Sequence, residues 1–145
     1  KGKNISLAEA ESYIFGYCLV CDFSEREWQK KRSGQWVKGK SSETFGPVGP
    51  YIVTKDEIKD VYNLNMSLDV NGKRMQTGNT SKMIHKMNFL TSYASEFMTL
   101  LPGDIITTGT PPGVGDSMKP PKYLKKGEVV TLSIDQLGSQ KHSVV

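Results

Sequence analysis

The residues able to do chemistry stand where apolar segments give way to polar ones. Asp22 follows the run Tyr13-Ile14-Phe15-Gly16-Tyr17-Cys18-Leu19-Val20-Cys21 and precedes a helix-start pattern. A carboxylate there has two readings. It faces the N-terminus of the coming helix, an interaction of about 0.3–1 kcal/mol, or it ligates a hard cation, which takes oxygen donors from rigid loop edges. Arg26 and Gln29 are spaced to share one helix face. Arg26 either clamps a carboxylate through two parallel bonds or pairs with a nearby acid. Lys38-Gly39-Lys40-Ser41-Ser42 is half of a phosphate loop in appearance. It lacks the leading glycine and follows no clear strand, which excludes that reading. Lys40 can still bring a point charge to an anionic substrate or to a developing enolate.

A second polar stretch, Thr107-Thr108-Gly109-Thr110-Pro111-Pro112-Gly113-Val114-Gly115, follows a β-prone segment. Its glycines allow close backbone approach, and its hydroxyls and N–H groups suit carboxylate oxygens. The other reading is a structural turn at a strand exit. The spacing is not that of a dinucleotide loop. Cys18 and Cys21 have CxxC spacing, but a strand points them to opposite faces, and one such pair makes no zinc site. They read as core packing. His85 and His142 have no ligand spacing and read as ordinary histidines.

Several elements must position these groups. Ser6-Leu7-Ala8-Glu9 is a capping box that predicts a short helix through about Ser12. Residues 13–21 read as a buried strand. Ser24-Glu25-Arg26-Glu27 is a second box, opening a helix that ends near Gly34. Thr44 to Pro50 is a proline-stiffened loop, and Tyr51-Ile52-Val53 a short strand. Met66, Leu68 and Val70 alternate with polar residues before Asn71-Gly72, the strongest short hairpin signal, with a return strand over 73–77. Met83, Met87, Leu90, Ala94, Phe97 and Met98 recur at helical spacing, predicting about four turns of amphipathic helix. Ile105 to Thr108 and Val129 to Ile134 read as strands. The class expected is α+β, mostly β.

The chain has 145 residues, a net charge of +4, 37% hydrophobic residues and two cysteines. That is one domain's worth of chain, with apolar content that argues against global disorder and no disulfide scaffold. No apolar run reaches the length of a membrane helix. The lysines are scattered, so neither nucleic acid nor membrane is expected as a partner.

Taken together, the segments resemble the fumarylacetoacetate hydrolase family. The resemblance rests on Asp22-Phe23-Ser24-Glu25-Arg26-Glu27-Trp28-Gln29, Gln35-Trp36-Val37-Lys38-Gly39-Lys40 and Phe45-Gly46-Pro47-Val48-Gly49-Pro50. It extends through Val70-Asn71-Gly72, Gln76 with Gly78-Asn79-Thr80, and Leu101-Pro102-Gly103-Asp104 onward to Gly115, in the family's order. The segment Met118 to Leu124 is similar to the branch that contains diketo-deoxy sugar acid hydrolases and the domain-containing-protein-2 type members. Cys21, Glu25 and Glu27 depart from the usual Asn, Ala and Asp of the family pattern.

The resemblance implies a mixed β-roll of the fumarylacetoacetate hydrolase type and a site holding Mg²⁺, Mn²⁺ or Ca²⁺. Asp22 matches a metal ligand, and Lys40 the group that supports the oxygen turning negative. Arg26, Gln29 and Thr110 match substrate-binding positions, Thr110 at the substrate carboxylate. The family's E-x-E ligands and its His–Glu water-activating pair fall upstream of Lys1, so residues 1–145 are expected to be one partial catalytic domain. The implied activity is hydrolysis of a C–C bond in an acylpyruvate-like or diketo-deoxy sugar acid, through a metal-held enolate. The alternatives are an isomerase or decarboxylase of a hydroxymuconate-type diacid, and a non-catalytic scaffold. A small 2-oxo acid and a second copy of the chain are the partners implied. The expected compartment is the cytoplasm, or mitochondria in a eukaryote.

Overall fold

The computed structural model describes residues 1–145. Its elements in chain order are β1 (Gly16–Tyr17), α1 (Arg26–Lys30), β2 (Val53–Thr54), β3 (Asn65–Val70), β4 (Lys73–Asn79), α2 (Met87–Phe97), β5 (Val129–Ile134) and β6 (Gly138–Ser143). Short 3-10 turns stand at 10–13, 36–39, 55–57, 80–82 and 115–117. The fold is α+β and mostly sheet, as expected.

The main sheet grows from the hairpin. Asn71 and Gly72 adopt φ of 50° and 75°, the left-handed pair that a tight two-residue turn requires. β3 and β4 pair antiparallel on either side, with a register shift at Leu68/Asp69. β5 joins the other edge of β3, and β6 pairs with β5, giving the order β4-β3-β5-β6 with every pairing antiparallel. Leu64 and Val130 are each 1% exposed and anchor a core with Leu19, Cys21, Ile58, Val70, Leu132 and Leu137. Each fully buried aliphatic chain contributes about 1.5–3 kcal/mol.

The predicted strand over 13–21 breaks into two short pieces. β1 pairs with β2, and Val20 makes an isolated bridge to Val48. The partner segment carries Pro47 and Pro50, which have no N–H to continue a ladder. Both helices flanking this region are also shorter than expected. The Ser6–Glu9 box forms, with Ser6 Oγ donating to Glu9 Oε2 at 2.5 Å, yet only a 3-10 turn at 10–13 follows. The second box shifts by one residue. Glu25 is the N-cap of α1 and accepts from the N–H groups of Glu27 and Trp28, and the helix ends at Lys30.

Ile105 to Thr108 is not a strand, and the whole stretch 101–110 is exposed. β-propensity describes fit to a paired surface, and no strand lies beside these residues. α2 spans about three turns, and its interior face is small and polar. Thr91 and Ser95 are buried, and Ser95 Oγ accepts from the N–H of Ile5 at 2.8 Å. Phe89, Tyr93 and Phe97 form an exposed ladder with ring centroids 6.0 and 5.5 Å apart. The periodicity predicted the helix but placed Phe97 on the wrong side of it. β6 went unpredicted, because its residues Gly-Ser-Gln-Lys-His-Ser hold no apolar alternation. No helix is long and apolar enough to cross a membrane.

Candidate functional site

Asp22 and Lys40 meet on the wall of one cavity. Lys40 Nζ donates to Asp22 Oδ2 at 2.6 Å and to Ser24 Oγ at 2.7 Å. Ser24 in turn donates to the backbone oxygen of Asp22 at 3.2 Å. Release of Ser24 from helix capping leaves its hydroxyl for the lysine. The cavity holds about 370 Å³ and is lined by Val20, Asp22, Lys40, Gly46, Val48, Ile105 and Thr107. That volume is in the range of sites for small organic ligands.

Backbone packing sets this corner. Lys40 ends the 3-10 turn at 36–39, its N–H donating to Val37 O at 3.0 Å. Gly39 O accepts from the Glu25 N–H at 2.9 Å. A Cβ on Gly39 would lie 2.5 Å from Glu25 O and 2.6 Å from Gln29 Cβ, so glycine is what lets this turn press on the start of α1. Lys40 is thereby carried to the Asp22 side of the helix. The Asp22 side chain remains 57% exposed and that of Lys40 27%. An ion pair this open contributes about 0–1 kcal/mol to stability, so its arrangement serves position more than folding.

Arg26 and Gln29 do not line this cavity. Arg26 Nη1 donates to Gln29 Oε1 at 2.7 Å. Gln29 is 0% exposed, and its Nε2 has no hydrogen-bond partner. An orphaned buried amide of this kind costs about 1–3 kcal/mol. Beside them, Lys30 and Tyr123 both donate to Asp116. The Lys30 hydrogen bond holds the Asp116 carboxyl below its ordinary pKa, helped by Tyr123 and by the charges of Lys30 and Arg26. The same carboxylate raises the Tyr123 phenol.

Thr110 also stands outside the cavity lining, where Thr107 appears instead. Its hydroxyl oxygen accepts from Gln76 Nε2 at 2.8 Å. The two cysteines are unsuited to nucleophilic work. Burial pushes the Cys21 thiol up to about 12, with a further rise from Asp22, and burial raises Cys18 as well. Sequence reasoning missed Ser24 as a lysine ligand, Asp116 with Tyr123 as a tie onto α1, and Gln76 as the partner of Thr110. Ser24 and Gln76 left a trace, Ser24 in the capping box and both in the segments that carry the family resemblance.

A divalent ion would find one carboxylate in this corner. No three His, Cys, Asp or Glu side chains in the chain gather to hold a metal. Mg²⁺-like ions nevertheless keep several waters and take only one or two protein carboxylates alongside substrate oxygens. Lys40 occupies Oδ2 of Asp22, and no protein donor reaches Oδ1. Asp22 therefore fits as one oxygen ligand of several.

The chain resembles known proteins along its full length. Residues 1–145 match the sequence profile described as fumarylacetoacetate hydrolase C-terminal. A Burkholderia cenocepacia protein, provisionally named a hydrolase, is 53% identical over 144 residues, covering 99% of this chain and 51% of its own. The chain thus spans about half the length of the curated relatives it matches. The solved fumarylacetoacetate hydrolase of Exiguobacterium antarcticum superposes with a TM-score of 0.93 at 38% identity, covering 99% of this chain and 51% of that one. A 2-hydroxyhepta-2,4-diene-1,7-dioate isomerase from Mycobacterium marinum gives 0.87 at 41% identity, over 99% and 53%. Maleylpyruvate hydrolase from Sphingobium sp. SYK-6, solved with manganese(II) and pyruvate, gives 0.84 at 35% identity, over 99% and 49%. Motif order, fold and full-length profile agree that the chain belongs to the fumarylacetoacetate hydrolase family.

Proposed function

We propose that the full protein hydrolyses a C–C bond in a 2-oxo or diketo acid, of acylpyruvate or diketo-deoxy sugar acid type, with a divalent metal held partly by Asp22. The observation that carries this reading is the ammonium of Lys40, 2.6 Å from the Asp22 carboxylate on the wall of a cavity of metabolite size. The Sphingobium neighbour, solved with manganese and a 2-oxo acid, supports it. When bound, the metal supplies Lewis-acid polarisation of the substrate oxygens.

The chain's own residues do the rest of what can be assigned to it. Lys40 faces the oxygen that gains charge as the C–C electrons move toward the 2-oxo acid, and stabilises that charge in place. Ser24 and Asp22 hold the ammonium so that it does not reorient during the step. Thr110 donates to the substrate carboxylate. Water adds its hydroxyl to the distal acyl carbon, and its proton ends on the carbon that leaves. The products are a carboxylic acid and a 2-oxo acid. The water-activating base is assigned to the part of the protein that the longer relatives share beyond this region. The active unit is proposed to be a homodimer, in keeping with the exposed aromatic ladder on α2.

An isomerase is the second reading, favoured by the Mycobacterium marinum neighbour. It uses the same charge at Lys40 but returns the proton to another carbon. Incubation of the full-length protein and Mn²⁺ with an acylpyruvate, followed by mass spectrometry, separates the two. Hydrolysis gives two fragments with one added water. Unchanged mass with an altered ultraviolet and NMR spectrum means isomerisation. No conversion with either an acylpyruvate or a muconate-type diacid removes both readings.

A further inference from the structure

Gln76 lies on β4 and is 9% exposed. Its Nε2 is 2.8 Å from Thr110 Oγ1 and 2.7 Å from Pro111 O. A carbonyl oxygen can only accept, so the side-chain atom facing Pro111 is the nitrogen, and the amide has one permitted orientation. Both amide hydrogens are then in use, one on Pro111 O and one on Thr110 Oγ1. Thr110 Oγ1 must therefore act as acceptor toward Gln76, and its own proton points elsewhere. No protein group accepts that proton, and Thr110 is exposed. The hydroxyl is a free donor in a fixed position, and the bond it accepts strengthens the one it can give.

The loop is pressed onto β4 around this contact. A Cβ on Gly113, whose φ is 108°, would lie 2.0 Å from Met75 O and 3.2 Å from Gln76 Cα. A Cβ on Gly78 would lie 2.6 Å from Pro111 Cβ. Close packing on both sides of Gln76, Gly113 on the Met75 backbone and Gly78 under the Pro111 ring, already holds the loop down. The amide is therefore not the loop's sole fastening, and its specific effect is on the polarity of the Thr110 hydroxyl.

We infer that Gln76 is a positioning residue that fixes Thr110 as a hydrogen-bond donor toward an acceptor-only group of the ligand, namely a carboxylate. This rests on the reading that Thr110 binds the substrate carboxylate. A hydroxyl free to rotate would accept from a neutral amide or alcohol equally well. One locked by Gln76 favours the carboxylate, whose oxygens all accept, over a carboxamide, which presents an acceptor on one side only.

The test is steady-state kinetics of the full-length protein with an acylpyruvate and with its carboxamide. Thr110→Val removes the hydroxyl, Gln76→Met removes both amide donors, and Gln76→Glu keeps the size but draws the Thr110 proton inward. Each single variant is expected to raise KM for the acid about tenfold or more, with kcat within about threefold. The double variant Thr110→Val/Gln76→Met is expected to lose no more than Thr110→Val alone. Preference for acid over carboxamide falls in parallel. Gln76→Glu with a wild-type melting temperature and raised KM supports the inference even if Gln76→Met folds poorly. If Thr110→Val raises KM but both Gln76 variants bind like wild type, the positioning role is overturned and Thr110 stands. If Thr110→Val itself leaves KM unchanged, the Thr110 assignment fails, and the inference with it.

Discussion

Two polar corners of the molecule are built in opposite ways. The Asp22–Lys40 corner is charged and open, the Asp22 side chain 57% exposed, and a single serine helps orient the ammonium. The Gln76–Thr110 corner is neutral and tightly packed at its base, with Gln76 9% exposed and glycine contacts on both sides. The difference follows from what each must meet. Charges that exchange partners with a ligand need solvent access, because burying an unpaired ion is costly. A neutral donor that only reads one oxygen can be fixed before the ligand arrives, which lowers the ordering cost on binding. Under the proposed function, reaction and recognition fall to different kinds of surface.

The largest effect is expected at the charged corner. Lys40→Met should lower kcat by about 10²–10³-fold, the scale of removing one preorganised charge donor. Its melting temperature should stay close to wild type, since an exposed ion pair contributes little. Steady-state kinetics with thermal denaturation checks both halves. Wild-type turnover would remove Lys40 from the chemistry.

The packed corner should respond in stability instead. Gly113→Ala puts a Cβ against Met75 O at a φ of 108°, and should cost about 2–3 kcal/mol in denaturant unfolding. An unchanged midpoint would mean that the loop does not need its close seat on β4, and the contrast between the corners would dissolve.

A smaller readout probes the floor beneath Asp22. Cys21, with its thiol held near 12, stays protonated at pH 8 and should resist maleimide until the protein unfolds. Labelling followed by mass spectrometry reports this. Rapid native labelling of Cys21 would show that the core opens at the charged corner.

The smallest effect concerns Asp116. Its folded-state pKa is lowered, so the stabilisation is present above the ordinary carboxylate range and is lost as pH falls through the depressed value. Carboxyl NMR titration should find Asp116 titrating below free aspartate, and Lys30→Ala should move it back up. No movement would detach Lys30 from α1's tie to the 115–117 turn.

Much of this was legible in the chain itself. Asn71-Gly72 marked the hairpin because only a left-handed pair closes that turn. Asp22, Arg26, Gln29, Lys40 and Thr110 were named from segment order and family resemblance. Their grouping was not legible, since it depends on long-range packing. Gly39 against α1 brings Lys40 to Asp22, while Arg26 and Gln29 turn toward the 115–117 side. Thr107 entered the cavity wall from a segment whose β-prone residues find no partner strand. β6 was invisible because its inward positions are Gly138, Gln140 and His142, and Gln140 spends its amide on the backbone oxygens of Leu19 and Gly49. The α2 surface misled for a related reason. Its buried side is closed by Ser92 and Ser95 bonding to Ile5, which hydrophobic spacing does not register.

The most direct test is Mn²⁺ titration of the full-length protein by calorimetry, comparing Asp22→Asn with Lys40→Met. The account predicts that Asp22→Asn weakens binding at least tenfold. Lys40→Met should bind as tightly as wild type or tighter, because the competing ammonium is gone, while turning over slowly. Wild-type Mn²⁺ affinity in Asp22→Asn would contradict the claim that this carboxylate ligates the metal.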